Sequence, residues 1–254
     1  MRVTVCEIPH EPRALGTAWA ALCEHTWHQE SDLVLLPELG MCEPVWEGPC
    51  FDPVRWAAVE AASVQWLLLL GELHAEHVVG TRPVSVGGRR YNQGYIWSAA
   101  GGVVPLRSKF FLPNEPGGWE SSWFDRGDPE FPAFHAGNLS FGLNICTELW
   151  ALETYAAYAA DQVQMILSPR ATAAGTTAKW MSVGVVAAVR SGAYSVSSNR
   201  VDRSGTYGGA GWIIGPDGQV LARTNAGMPF ATVDVDLARS REARGSYPRD
   251  VLGQ

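Results

Sequence analysis

The stretch DLVLLPELG, residues 32–40, decides the fold. Between Asp32 and Pro37 lie four consecutive apolar residues, too few for a helix and without the alternation of a half-exposed strand. That pattern fits a strand buried on both faces, as in a parallel sheet covered by helices. The strand ends on Glu38. Upstream, Arg2–Ile8 reads as another buried strand and 14–29 as an Ala-rich amphipathic helix, so the first forty residues form a β-α-β unit. Downstream, Asp52 and Pro53 give the cap and first-turn signals of a helix running to about Val64. A strand at 66–70 would complete a second crossover.

The second half repeats this plan. A strand at 139–145, a helix at 149–160, a strand at 163–168, a helix at 177–191 and a strand at 193–198 follow one another, an approximate internal duplication of element order. Between the halves, residues 77–106 alternate in short segments broken by Gly87-Gly88 and Gly101-Gly102, the pattern of antiparallel strands. Residues 110–128 are rich in Pro, Gly and Trp and read as a loop; loops longer than about 12 residues inside a compact domain are commonly functional. Near the end, 211–215, the turn Pro216-Asp217-Gly218, 219–223 and 230–235 give a hairpin and one further strand.

A chain of 254 residues with 46% hydrophobic content can bury one sizeable core, and no linker divides it, so residues 1–254 are expected to form a single domain. The net charge is −7 and the 19 basic residues are scattered, which leaves no footprint for nucleic acid or an anionic membrane and favours a small-molecule substrate. The longest apolar run, 64–70, is interrupted by Gln65 and falls far short of a membrane span. The opening residues lack the plan of a signal peptide. A soluble, cytoplasmic protein is expected. Five cysteines, Cys6, Cys23, Cys42, Cys50 and Cys146, make an odd count without paired spacing, so at least one thiol is free.

In sheets built from strand-helix-strand units, groups at the carboxyl ends of strands meet in a crevice where ligands bind. Two such ends carry reactive side chains: Glu38 after DLVLLP and Cys146 after LSFGLNI, in matching places of the two halves. A thiol before a helix N-terminus is favoured as thiolate. An unperturbed thiol, with a pKa of about 8.5, also needs a nearby base to become a nucleophile at neutral pH. Glu38 fits that role. The oxyanion formed on attack needs donors, and Lys109, opening the long loop, is a candidate together with the backbone N–H after the nucleophile.

Three blocks, LLPELG at 35–40, SKFFLPNEPGGWESSWFDRGD at 108–128 and GLNICTELW at 142–150, together resemble the catalytic blocks of the nitrilase-like carbon-nitrogen hydrolases, and the resemblance spans nearly the whole chain. It implies a four-layer α-β-β-α sandwich, commonly paired with a second subunit into a homodimer or larger homo-oligomer. It also implies amide hydrolysis with Cys146 as nucleophile, Glu38 as base, Lys109 on the tetrahedral intermediate and Glu120 positioning the reacting groups. Glu115, five residues earlier in the same loop, competes with Glu120. Three departures stand out. Thr147 replaces the family's common aromatic residue after the nucleophile, the Trp frequent there in nitrile-specific members is absent, and Leu149 and Trp150 replace the paired arginines of carbamoyl-amino-acid hydrolases. An amide is therefore favoured over a nitrile or a carbamoyl compound.

The 11 Trp residues are many for this length, and Trp46, Trp119, Trp123 and Trp150 adjoin the three blocks. Core filling accounts for part of them; Trp46, Trp119, Thr147 and Trp150 are candidate pocket residues. Glu43, Glu47 or Glu115 can meet a positive substrate group and Arg170 a negative one. His25 with His28 and His74 with His77 share helical spacing, but no third ligand or HExxH accompanies them, so neither metal nor cofactor is expected. Cys42 and Cys50 flank Trp46 and read as pocket walls, with a redox pair as the alternative.

Overall fold

The computed structural model describes residues 1–252. Strands β1 (Arg2–Ile8), β2 (Leu33–Leu35), β3 (His77–Val86), β4 (Arg89–Ser98) and β5 (Gly102–Ser108) form one sheet, with β12 (Phe230–Asp234) on the far side of β1. A second sheet runs β6 (Phe134–Ala136), β7 (Leu139–Leu143), β8 (Met165–Arg170), β9 (Tyr194–Arg200), β10 (Trp212–Ile214) and β11 (Val220–Arg223). In each sheet the three central strands are parallel, Val3 beside Leu33 and Leu35 beside Val79 in one, Phe141 beside Met165 and Leu167 beside Val196 in the other. The sheets join where the end of β1 pairs with the end of β9, Glu7 beside Asn199 and Ile8 beside Arg200.

Side-chain alternation along these strands explains the layering. One face of the first sheet (Val3, Val5, Leu33, Leu35, Val79) meets one face of the second (Phe141, Leu143, Met165, Leu167, Val196, Ile213) in a single apolar cluster. The opposite face of the first sheet (Cys6, Ile8, Val34, Val78) packs on Leu15, Trp19 and Leu22 of α1 (Pro12–Gln29). The opposite face of the second (Ile166, Trp212, Ile214) packs on Tyr155 and Tyr158 of α4 (Thr154–Ala160) and on Val183, Ala187 and Ala188 of α5 (Thr177–Ser191). The result is the four-layer α-β-β-α sandwich. Helix α2 (Pro53–Leu67) is capped by Asp52, whose carboxylate accepts from the N–H groups of Val54 and Arg55.

Two elements differ from expectation. Residues 66–70 are not a strand: α2 continues to Leu67 and a 3₁₀ turn follows at Leu70–Leu73. Trp66, Leu67, Leu70 and Leu73 recur at helical spacing and join the cluster of Trp19 and Leu22, so period three-to-four wins over a short run that admits both readings. The strand of the second crossover is β3 instead. The helix expected at 149–160 is broken into a 3₁₀ turn, Cys146–Trp150, and α4, with Thr154 Oγ1 donating to the Ala151 carbonyl at the break.

One close approach positions the site. A Cβ on Gly94 of β4 would lie 2.3 Å from Cδ2 of Leu143 at the end of β7. Glycine there lets the two sheets approach closely, and Asn92, two residues away on the same strand face, points into the space between them.

Candidate active site

Strands β2 and β7 end three residues before Glu38 and Cys146 respectively, so the two side chains emerge from matching points of the two sheets. Each exit turns through a left-handed residue, Leu39 (φ 45°) after the one and Cys146 itself (φ 49°) at the other. Positive φ is costly for residues with a Cβ and persists where surrounding contacts enforce it. At Leu39 those contacts are evident. Its N–H donates to Thr81 Oγ1 at 2.7 Å, and the buried Arg200 guanidinium donates to the carbonyls of Glu38, Leu39 and Cys42. The Glu38 N–H in turn donates to the Arg170 carbonyl at 3.2 Å.

Lys109 follows β5 and is wholly buried. Its Nζ donates to Glu38 Oε1 at 2.8 Å and to both carboxylate oxygens of Glu120 at 2.8 Å each. Asn92 Nδ2 donates to the same Glu38 oxygen at 2.8 Å, and the Lys109 N–H donates to the Asn92 carbonyl at 2.9 Å. Among the described residues, Glu38 Oε2 takes no hydrogen bond. Asn92 Oδ1 is buried without a partner, a cost the strand carries for the contact made by Nδ2. Glu120 opens the short helix α3 (Glu120–Trp123), the one regular element within the stretch 110–128. Glu115 lies exposed in a tight turn with Gly118, so Glu120 is the acid that reaches Lys109.

The electrostatics differ from expectation at the sulfur. Burial first, then the Glu38 carboxylate, push the Cys146 thiol well above its ordinary range. Lys109 and the Ala171 backbone N–H only partly oppose them. The turn at Cys146–Trp150 is too short for a substantial macrodipole, so the helix end does not offset the effect of burial. Burial alone would lower the Lys109 ammonium, but the Glu120 and Glu38 carboxylates outweigh it and hold the charge. Glu120 is pushed up to about 7, by burial first and also by Glu38, against the pull of Lys109. One ammonium thus serves two carboxylates.

The candidate pocket residues fall in different places. Trp46 is buried beneath the Arg200 guanidinium, 5.0 Å from its ring centroid, and its carbonyl accepts the N–H of half-buried Trp119 at 2.8 Å. Thr147 is half-buried beside Cys146. Trp150 is 46% exposed and packs edge-on against Trp180 of α5. Arg170 corrects its expectation as an anion clamp. It is fully buried, bonded to Ser197 Oγ, Thr172 Oγ1 and the Ala210 carbonyl, and lies over the Trp212 ring, so its donors brace the strand ends. Glu43 pairs with Arg55 and Glu47 accepts the Tyr207 hydroxyl. Cys42 and Cys50 are both free thiols, one buried and one exposed. Asn92, Arg107, Glu148 and Arg200 escaped the sequence reading; the accessible hint was a polar Asn92 at the buried parity of an alternating strand.

The profile of the carbon-nitrogen hydrolase family matches residues 2–245. A carbon-nitrogen hydrolase from Helicobacter pylori superposes with a TM-score of 0.86 at 19% identity, covering 99% of this chain and 94% of that one. An amidase from Nesterenkonia sp. superposes with a TM-score of 0.78 at 21% identity, covering 99% and 96%. N-carbamoylputrescine amidase of Oryza sativa subsp. japonica is 27% identical over 154 residues, 53% of this chain and 50% of the relative; that of Arabidopsis thaliana is 24% identical over 182 residues, 63% and 60%. The chain thus spans between half and three fifths of the length of the curated relatives it matches. With a sandwich that superposes on these hydrolases and a family match from end to end of its described core, the chain belongs to the carbon-nitrogen hydrolase family.

Proposed function

We propose that this chain is an amidase that hydrolyses a small carboxamide to a carboxylate and ammonia through a thioester on Cys146. The observation that carries this reading is the convergence of Lys109 and Asn92 on one oxygen of Glu38, which leaves Oε2 to receive a proton. In the first half-reaction the Cys146 thiol passes its proton to Glu38 Oε2 and the sulfur attacks the amide carbon. The oxyanion is met by the Lys109 ammonium and the Thr147 N–H. Glu38 then protonates the leaving nitrogen, ammonia departs, and the carbon-sulfur bond remains. In the second, Glu38 takes a proton from water, hydroxide adds to the thioester carbon, and the thiol is regenerated with that proton. Glu120 holds Lys109 in place throughout.

Two observations support this chemistry. In this reading the thiol gives its proton to a base, and the Glu38 carboxylate lies near enough to the sulfur to act on its charge. In a mutant of the amidase from Nesterenkonia sp. AN1, acrylamide has added to the active-site cysteine by Michael addition. A second reading, hydrolysis of an N-carbamoyl amine, is favoured by the names of the plant relatives. It predicts carbon dioxide release along with ammonia. Intact-mass analysis after mixing with a panel of amides and N-carbamoyl amines tests both: an acyl adduct on Cys146 is expected, and ammonia with or without carbon dioxide separates the substrates. Turnover by Cys146→Ala at the wild-type rate would defeat both readings.

A further inference from the structure

Four hydrogen bonds converge on a buried carboxylate outside the group formed by Glu38, Lys109, Glu120 and Cys146. Glu148 has no solvent exposure. Its Oε1 accepts the Phe110 N–H at 2.7 Å and Arg107 Nη2 at 3.0 Å; its Oε2 accepts the Ile145 N–H at 2.9 Å and Arg107 Nη1. The Phe110 N–H belongs to the peptide that follows Lys109, and Ile145 immediately precedes Cys146. One side chain therefore ties the backbone beside the ammonium to the backbone beside the sulfur, across the gap between β5 and β7.

The brace is anchored at both ends. Arg107 Nε donates to the Glu130 carbonyl at 3.1 Å, and its guanidinium lies 4.0 Å from the Phe131 ring centroid. On the other side, the Glu148 N–H donates to the Ile145 carbonyl at 3.1 Å, and the Glu148 carbonyl accepts Asn144 Nδ2 at 2.9 Å. Asn144 is itself held by Tyr158 Oη and Ser168 Oγ, each at 2.8 Å. An ionised carboxylate accepts on every lone pair, whereas a carboxamide presents donors on one side. A glutamine at 148 would therefore oppose one of the two backbone N–H groups with an NH₂.

We propose that Glu148, held by Arg107, is a positioning residue that fixes the separation of Lys109 and Cys146 and so sets the rate of acyl transfer. This rests on the amidase reading above. Displacing reacting groups by about 1 Å can cost roughly 100-fold in rate. Glu148 does not touch the substrate, so the loss should fall on kcat and leave KM in place.

The test uses Glu148→Gln and the double variant Arg107→Met/Glu148→Met, in which apolar side chains of similar volume replace the ion pair and sustain folding. Each is measured for melting temperature, kcat and KM on an amide turned over by the wild type, and rate of Cys146 alkylation by iodoacetamide. Cys146→Ala is carried alongside. A folded variant with kcat down roughly 100-fold, KM held and slowed alkylation supports the inference. A folded variant with wild-type kcat, or one whose loss appears in KM alone, overturns it. Should Glu148→Gln fail to fold, the double variant decides by the same criteria. Loss of activity in Cys146→Ala with normal kinetics in the Glu148 variants removes this inference and leaves the amidase reading standing; activity in Cys146→Ala removes that reading.

Discussion

The amide of Asn92 donates to Glu38 Oε1 at 2.8 Å, the same oxygen that receives the Lys109 ammonium. The carboxylate is thereby pinned in rotation as well as position. Asn92→Leu keeps the volume and removes the donor. A hydrogen bond to a charged group contributes about 1.5–3 kcal/mol, so kcat/KM should fall by roughly 10- to 150-fold. Steady-state kinetics beside circular dichroism check this, and an unchanged kcat/KM would show the contact to be idle.

Removal of the sulfur should abolish turnover without disturbing the fold. Cys146 contributes a small side chain to the inter-sheet core, so Cys146→Ala leaves little void. Loss of a nucleophile lowers kcat by a factor on the order of 10⁶. Rate and melting temperature measured together check the prediction, which fails if both fall or neither does.

Glu120 makes stability depend on pH in a direction opposite to that of an ordinary ion-paired acid. Its carboxyl, pushed up to about 7, binds a proton more tightly in the folded chain than in the unfolded one, where about 4.3 is usual. The stability this proton confers is complete below about pH 4 and is lost as pH rises through about 7. The wild-type melting temperature should therefore fall between about pH 5 and pH 8 relative to Glu120→Gln, which cannot titrate. Parallel melting curves for the two proteins would refute it.

Lys109→Met leaves two buried carboxylates facing each other without a cation. Breaking a buried pair on one side costs about 3–5 kcal/mol. Glu120, no longer opposed by the ammonium, then holds its proton more strongly in the folded state, so part of the lost stability returns as pH is lowered. Denaturant titrations at acid and neutral pH should show a smaller deficit at acid pH. An equal deficit at both would mean that the ammonium does not serve these acids.

Much of this architecture was readable from residue order because its decisive elements are extreme. The strands DLVLLP and LSFGLNI are so apolar that only burial on both faces suits them, and each runs out at a reactive side chain. Helix 177–191 matches its expected bounds, closed by Gly192 in the left-handed conformation. Where local pattern admits two periods, as at 66–70, the outcome rested on Trp19 and Leu22 of a distant helix, which no local window contains. The bracing residues were hidden for a similar reason. Arg107 and Glu148 are 41 positions apart and become partners only when two sheets stack. Arg170 misled because a lone arginine in sequence suggests a ligand contact, whereas neutral acceptors and the Trp212 ring had already engaged it.

The left-handed backbone at Cys146 carries a wider implication. On the amidase reading, aim and reactivity are set by separate parts of the molecule there: the kinked main chain chooses the trajectory, and the atom at its tip chooses the chemistry. Serine or selenocysteine installed at that point would inherit the same line of flight toward an electrophile. A designer can therefore exchange the warhead and keep the launcher.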